Sequence, residues 1–157
     1  MGQRRHGLGP PASGHQARWG GGVSEPLVPS KVSWWLDRAE RWLPAIERDV
    51  HDGLVDRAVG DVYYVCFFIA TALELQQGRE YKRHSALAAA INRDYVQRGL
   101  ISASAGSLYN LVLHARAISD YQVADAPDPA EVLAWLEGAK AFLSEARTLV
   151  RQRASKD

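Results

Sequence analysis

Cysteine and methionine are nearly missing from this chain, which has one of each in 157 residues. The lone cysteine, Cys66, excludes an internal disulfide framework and acts as a small hydrophobe, which suits a reducing compartment. Neither sign of charge dominates, and the formal net charge is +1. Composition therefore supplies no global attraction to nucleic acid or to an anionic membrane. Arg4 and Arg5 are not followed by the apolar stretch a twin-arginine signal requires. No apolar run reaches the roughly 20 residues of a bilayer span. A cytoplasmic protein without membrane contact is expected, and no metal or cofactor is.

The longest apolar run is Val62 to Leu75, VYYVCFFIATALEL, which carries a single charge, Glu74, and neither proline nor glycine. It does not alternate and is too long for an ordinary strand, so it reads as a helix. A helix apolar nearly all round must be covered nearly all round, which makes this run the hub of a helical bundle.

The rest of the chain supplies the cover. Residues 1–29 are rich in glycine and proline with scattered apolar residues, and they read as a disordered tail. A first helix is expected from Ser30 or Ser33, with Trp35, Ala39, Trp42, Leu43, Ile46 and Val50 at helical spacing and an interruption at Pro44. His51-Asp52-Gly53 makes a turn, and the central helix runs from about Leu54 to Gln77 with Gly78 as its stop. A short helix over about Ser85–Gln97 and a fourth over about Ser102–Asp120 follow. The fourth is read with Leu108, Leu111, Val112, Ala115 and Ile118 facing inward. Asp128 caps a fifth helix whose first position is Pro129 and whose stripe runs from Val132 to Val150. The expected fold is all-α, a five-helix up-and-down bundle over residues 30–153 with a disordered end at 154–157.

The order of segments LDRAERWL, DGLVDRAVGDVYYVCFFIATALELQQG, KRHSAL, RGL and LHARAISDY resembles the HEPN family of helical domains, across roughly Ser33 to Val150. The similarity is to the bacterial branch with a YYA-type second helix and an R-x-x-x-D-Y motif closing the fourth. The resemblance implies a homodimer whose fourth-helix ends face one another. It also implies a toxin–antitoxin or defence setting, with an antitoxin or a nucleotidyltransferase as partner and RNA or a nucleotide as ligand. Many members are metal-independent ribonucleases. In those, an arginine and a histidine about four to six residues later stabilise charge and move the ribose proton.

Arg116 matches that arginine, but no histidine follows His114 in the chain. Tyr121 stands near the histidine's place, and a phenol titrating near about 10 is a poor base at neutral pH. Arg116 and Asp120 also have a purely structural reading as an i,i+4 ion pair. If successive helices alternate in direction, Arg79, Lys82, Arg83, His84 and Arg116 gather at one end of the bundle as a local positive surface. Tyr81 and Tyr121 would lie near it for base stacking. The imidazole of His84 is the one group there suited to moving a proton near neutral pH, although its place at a helix start also suits a cap. Asp61, isolated in the apolar run, pairs most simply with Arg57 one turn back. The expected function is nucleotide or RNA binding in an accessory role. The alternative is a metal-independent ribonuclease using Arg116 with His84 or Tyr121.

Overall fold

A computed structural model describes residues 27–119 and 127–156 of the chain. Five α-helices make up most of them: α1 (Leu27–His51), α2 (Val55–Gln76), α3 (His84–Ile91), α4 (Ala103–Ser119) and α5 (Pro129–Ala154). The all-α bundle expected from the sequence is the fold, and no strand occurs among the described residues. Most of the expected tail, residues 1–26, lies outside them, but residues 27–29 belong to α1. The helix starts a turn earlier than Ser30 because Pro29 falls in the first turn, where its missing N–H costs no hydrogen bond. Pro44 does not end α1 either, since it lies on the exposed face, where the carbonyl it frees meets water.

The central run is buried as a hub must be. Val59, Val62, Tyr63, Val65, Cys66, Ile69 and Leu73 of α2 have essentially no exposed surface. At 22 residues α2 is long and apolar enough to span a bilayer, but 67% of its most apolar window is buried inside the bundle. Burial, more than length, marks it as a core helix. Covering is incomplete along one stripe, where Gly60, Tyr64, Phe67 and Thr71 stay partly exposed at helical spacing.

Gly53 and Gly78 stand in turns where a side chain would be strained. Gly53 (φ 80°) joins α1 to α2, and Gly78 (φ 72°) closes α2 while the Arg79 N–H returns to the Glu74 carbonyl. Asp128 accepts from the Ala130 N–H at 3.1 Å and Pro129 takes the first position of α5, as the sequence suggests.

Direction departs from simple alternation once. α1 and α2 are antiparallel, because Trp35 meets Phe67 and Phe68 while Trp42 meets Tyr64. After α2, residues 77–83 leave helical geometry and travel back along it at up to about 3.3 Å per extended residue. His84 therefore lies beside Tyr63 and Phe67, midway along α2. α3 then climbs in the direction of α2 and passes into a π-turn over Asn92–Val96. That wider turn brings Tyr95 inward, where its hydroxyl donates to the Leu73 carbonyl. α4 descends from this level to Tyr63 and Tyr64, and α5 runs alongside α2 with Gln76 Nε2 donating to the Val150 carbonyl at 3.1 Å.

The inward face of α4 differs from the expected one. Ala105, Leu108, Tyr109 and Val112 are buried, whereas Leu111 is 47% exposed. Tyr109 takes the inward position because its ring stacks on Tyr63 at 6.4 Å, which rotates Leu111 to the surface.

Candidate functional site

Arg116 is partly buried near the C-terminal end of α4, and its guanidinium lies 4.7 Å from the ring centroids of both Tyr63 and Tyr64. Its Nη2 donates to the Tyr64 hydroxyl at 2.9 Å. A cation over two aromatic faces is held without losing its charge, each contact contributing about 0.5–2 kcal/mol. The two tyrosines are consecutive, so they project from α2 about 100° apart and grip the guanidinium from two sides.

His84, the first residue of α3, joins the same group. Its Nδ1 lies 2.5 Å from the Tyr63 hydroxyl, and the rings stack at 5.7 Å. The cap position of α3 is taken by Arg83, whose side chain makes no capping bond, while the His84 ring bonds Tyr63. Burial pushes the Tyr63 phenol up to about 12, against the pull of Arg116, so Tyr63 stays protonated at any physiological pH.

The partly exposed stripe of α2 lies between two walls. One rung runs from Trp35 of α1 through Phe67 to His84, with ring centroids 6.5 and 4.8 Å apart. The other runs from Trp42 through Tyr64 to Arg116, at 6.0 and 4.7 Å. Phe67 and Tyr64 are three residues apart, which places the rungs about 4.5 Å apart along the helix.

The remaining candidates divide. Arg79, expected beside Arg116, lies at the other end of α2. Its Nε bonds the buried Glu74 carboxylate at 2.7 Å, and its Nη2 lies 3.5 Å from Asp94. Ten residues separate Tyr64 from Glu74, or about 15 Å of helix. The returning segment explains the separation, because it carries His84 away from Arg79 and toward Arg116. Lys82 and Arg83 lie exposed on that segment. Tyr81 accepts from Arg93 Nη2 at 3.3 Å, nearer to Arg79 than to Arg116. Asp120 and Tyr121 lie outside the described residues, as do the side chains of Ile118 and Ser119.

Asp61 is near Arg57, but Arg57 pairs with Asp49 of α1 at 3.3 Å. The Asp61 carboxyl is raised above its ordinary value, first by burial and then by Asp49, with Arg57 opposing. Among the described residues no group of three or more His, Cys, Asp or Glu side chains is placed to hold a metal ion. A separate concavity of about 430 Å³ lies between α1 and α5, lined by Glu40, Leu43, Leu143 and Arg147 among others. Arg147 is already bound there by Asp37 and Glu40, at 3.0 and 2.9 Å.

Sequence reasoning placed Arg116 and His84 but missed what joins them. Tyr63 and Tyr64 were visible as the paired tyrosines of the second helix, yet an apolar run gives no sign of which ring faces a cation. Trp35, Arg38 and Trp42 share one helical stripe, a signal that reads equally well as core.

Comparison with known proteins agrees with this architecture. A family model described as the HEPN domain matches residues 32–149, which takes in all five helices except their outermost turns. The chain is also 28% identical over 119 residues to a UPF0332 protein of the bacterium Thermotoga maritima, covering 76% of this chain and 90% of that protein. With the family model matching most of its length, this chain belongs to the HEPN domain family.

Proposed function

We propose that this HEPN domain binds a nucleotide or RNA through the cluster built on Arg116, in an accessory role within a toxin–antitoxin or defence-type system. The observation that carries the reading is the seat of Arg116 over Tyr63 and Tyr64, with His84 bonded to the same Tyr63. A guanidinium held at the edge of partly exposed rings offers a phosphate its charge and a base its stacking surface. Lys82 and Arg83, exposed just before His84, add charge on the approach. A cytoplasmic homodimer through α4 belongs to the same proposal, and exposed Leu111 supports it. The toxin–antitoxin setting rests on family membership alone, and a neighbouring gene for an antitoxin or a nucleotidyltransferase would support it.

The test is a titration of labelled single-stranded RNA and of ATP at low and moderate salt. Binding should weaken as salt rises, because counterions released on binding are harder to displace. Arg116→Ala should weaken it, while Arg151→Ala, on α5 beside α1, should not. Binding indifferent to Arg116, or none, overturns the proposal.

A second reading, a metal-independent ribonuclease, is favoured by one observation, the bond between Tyr63 and His84. It fixes the imidazole beside a cation-bearing tyrosine, an arrangement suited to moving a proton while Arg116 stabilises charge. RNA cleavage without added metal that is lost in both His84→Ala and Arg116→Ala would select this reading.

A further inference from the structure

The cluster around Arg116 is one half of a longer surface, whose other half is on α1. Arg38 lies between Trp35 and Trp42 in sequence, and its guanidinium packs 4.6 Å from the Phe68 ring centroid. It also lies 5.3 Å from the ring of Trp34 and 5.8 Å from that of Trp42. Phe68, itself buried, lies 6.1 Å from Tyr64, so Arg38 and Arg116 pack against neighbouring rings of one aromatic cluster. Trp34 is 50% exposed, an unusual position for so large an apolar ring.

Charge on α1 is segregated about this surface. Asp37 and Glu40 turn toward α5, where both bond Arg147, and Glu47 faces Lys140 of the same helix. Lys31 and Arg38 lie on the other flank with Trp35 and Trp42, while Trp34 and Arg41 lie between the two flanks, exposed. Asp49, seven residues after Trp42, also lies on that other flank and pairs with Arg57. The helix thus carries its paired carboxylates Asp37 and Glu40 toward α5, and Lys31 and Arg38 where it borders the open stripe of α2, with Asp49 further along held by Arg57.

We propose that the edge of this flank is a second subsite, formed by Trp34 and Arg38, which holds a neighbouring nucleotide of a single RNA strand whose first contact is Arg116. The inference rests on the Arg116 site taking a nucleic acid, and adds that the ligand is a strand and not a mononucleotide. Aromatic rings interleaved with guanidinium groups stack bases of any sequence and neutralise the phosphates between them. Charge argues against a second copy of the chain as the occupant. An isologous interface through this flank would set Arg38 and Lys31 against their own copies, whereas the homodimer proposed above runs through α4.

The experiment measures full-length protein against ATP and a labelled oligouridylate about eight nucleotides long, within the usual site size of single-strand binders. Arg116→Ala should weaken both probes. Trp34→Ala and Arg38→Gln should weaken the oligomer by about ten-fold, the size of one base–ring stack, and leave ATP unchanged. Arg38→Gln should also flatten the salt dependence of oligomer binding by about 0.7 in log–log slope, the loss of one phosphate contact. Trp34→Ala removes an exposed ring, and an unchanged melting temperature checks that the fold persists. Oligomer binding that needs Arg116 but ignores Trp34 and Arg38 overturns the second subsite and leaves the first intact. Failure of the protein to bind either probe overturns both. A dimer that Trp34→Ala converts to monomer in sedimentation assigns the flank to a second copy and also overturns the inference.

Discussion

The Tyr63 hydroxyl and His84 Nδ1 lie 2.5 Å apart, although 21 residues separate them in the chain. One comes from the buried face of α2 and the other from the first turn of α3, so the bond pins the returning segment 77–83 at its far end. It also engages one ring nitrogen of His84, a residue that stays partly exposed. Tyr63→Phe and His84→Ala should each destabilise the fold, and their effects should not add. A double-mutant cycle by urea unfolding should return a coupling of about 0.5–1.5 kcal/mol. Additive losses would mean that the contact contributes nothing.

Phe68 and Phe67 are neighbours on α2 with different surroundings. Phe68 is 3% exposed and packs against Trp35, Trp42 and Arg38, whereas Phe67 belongs to the open stripe. Phe68→Ala should therefore cost about 3–5 kcal/mol, and Phe67→Ala clearly less. Denaturant midpoints for the two variants check the order, and equal losses would remove the distinction between open stripe and core.

Glu74 is buried, and burial raises its carboxyl above the ordinary range while Arg79 opposes and Asp94 adds to the rise. Arg79→Ala should leave that carboxylate without its cation. The loss at neutral pH should be about 1–3 kcal/mol, below the figure for a fully buried pair because the Arg79 side chain is 45% exposed. A raised carboxyl takes up its proton at a higher pH in the folded protein than in the unfolded chain. The deficit of the variant should therefore shrink as pH falls through the carboxylate range and Glu74 becomes neutral. Melting temperatures of the variant and the parent across pH 4–8 should converge toward the acid side, and a constant gap would contradict the account.

Cys66 is fully buried, and burial pushes its thiol up to about 12. Tyr63 is raised to about 12 by the same cause. Both groups keep their protons in the folded state where the unfolded chain has lost them. The sign follows from linkage: their contribution is constant below about pH 9, and stability falls as pH rises from there to about 12. Thermal melting over this range should show the fall, and it should start later in Cys66→Ala. At neutral pH a thiol reagent should modify Cys66 only at the rate of unfolding.

Local sequence was sufficient for the helices, their glycine and aspartate boundaries, and the identity of the hub. Those features depend on spacing and on backbone preferences that neighbouring residues carry with them. Val62 to Leu75 cannot be anything but a covered helix, and Asp128-Pro129 caps and starts α5 in the structure as it does on paper. Arg116 and His84 were likewise legible as candidates, one from its motif and one from its chemistry. What the tertiary structure alone decided was which groups meet. The path of residues 77–83 is not encoded by any period, yet it sets His84 against Tyr63 and leaves Arg79 about 15 Å of helix away with Glu74. In the same way, an all-round apolar helix does not announce which stripe its neighbours will leave open. The packing of α1 on one side and of α3 and α4 on the other leaves Tyr64 and Phe67 partly bare, because flanking helices cover only the faces they touch.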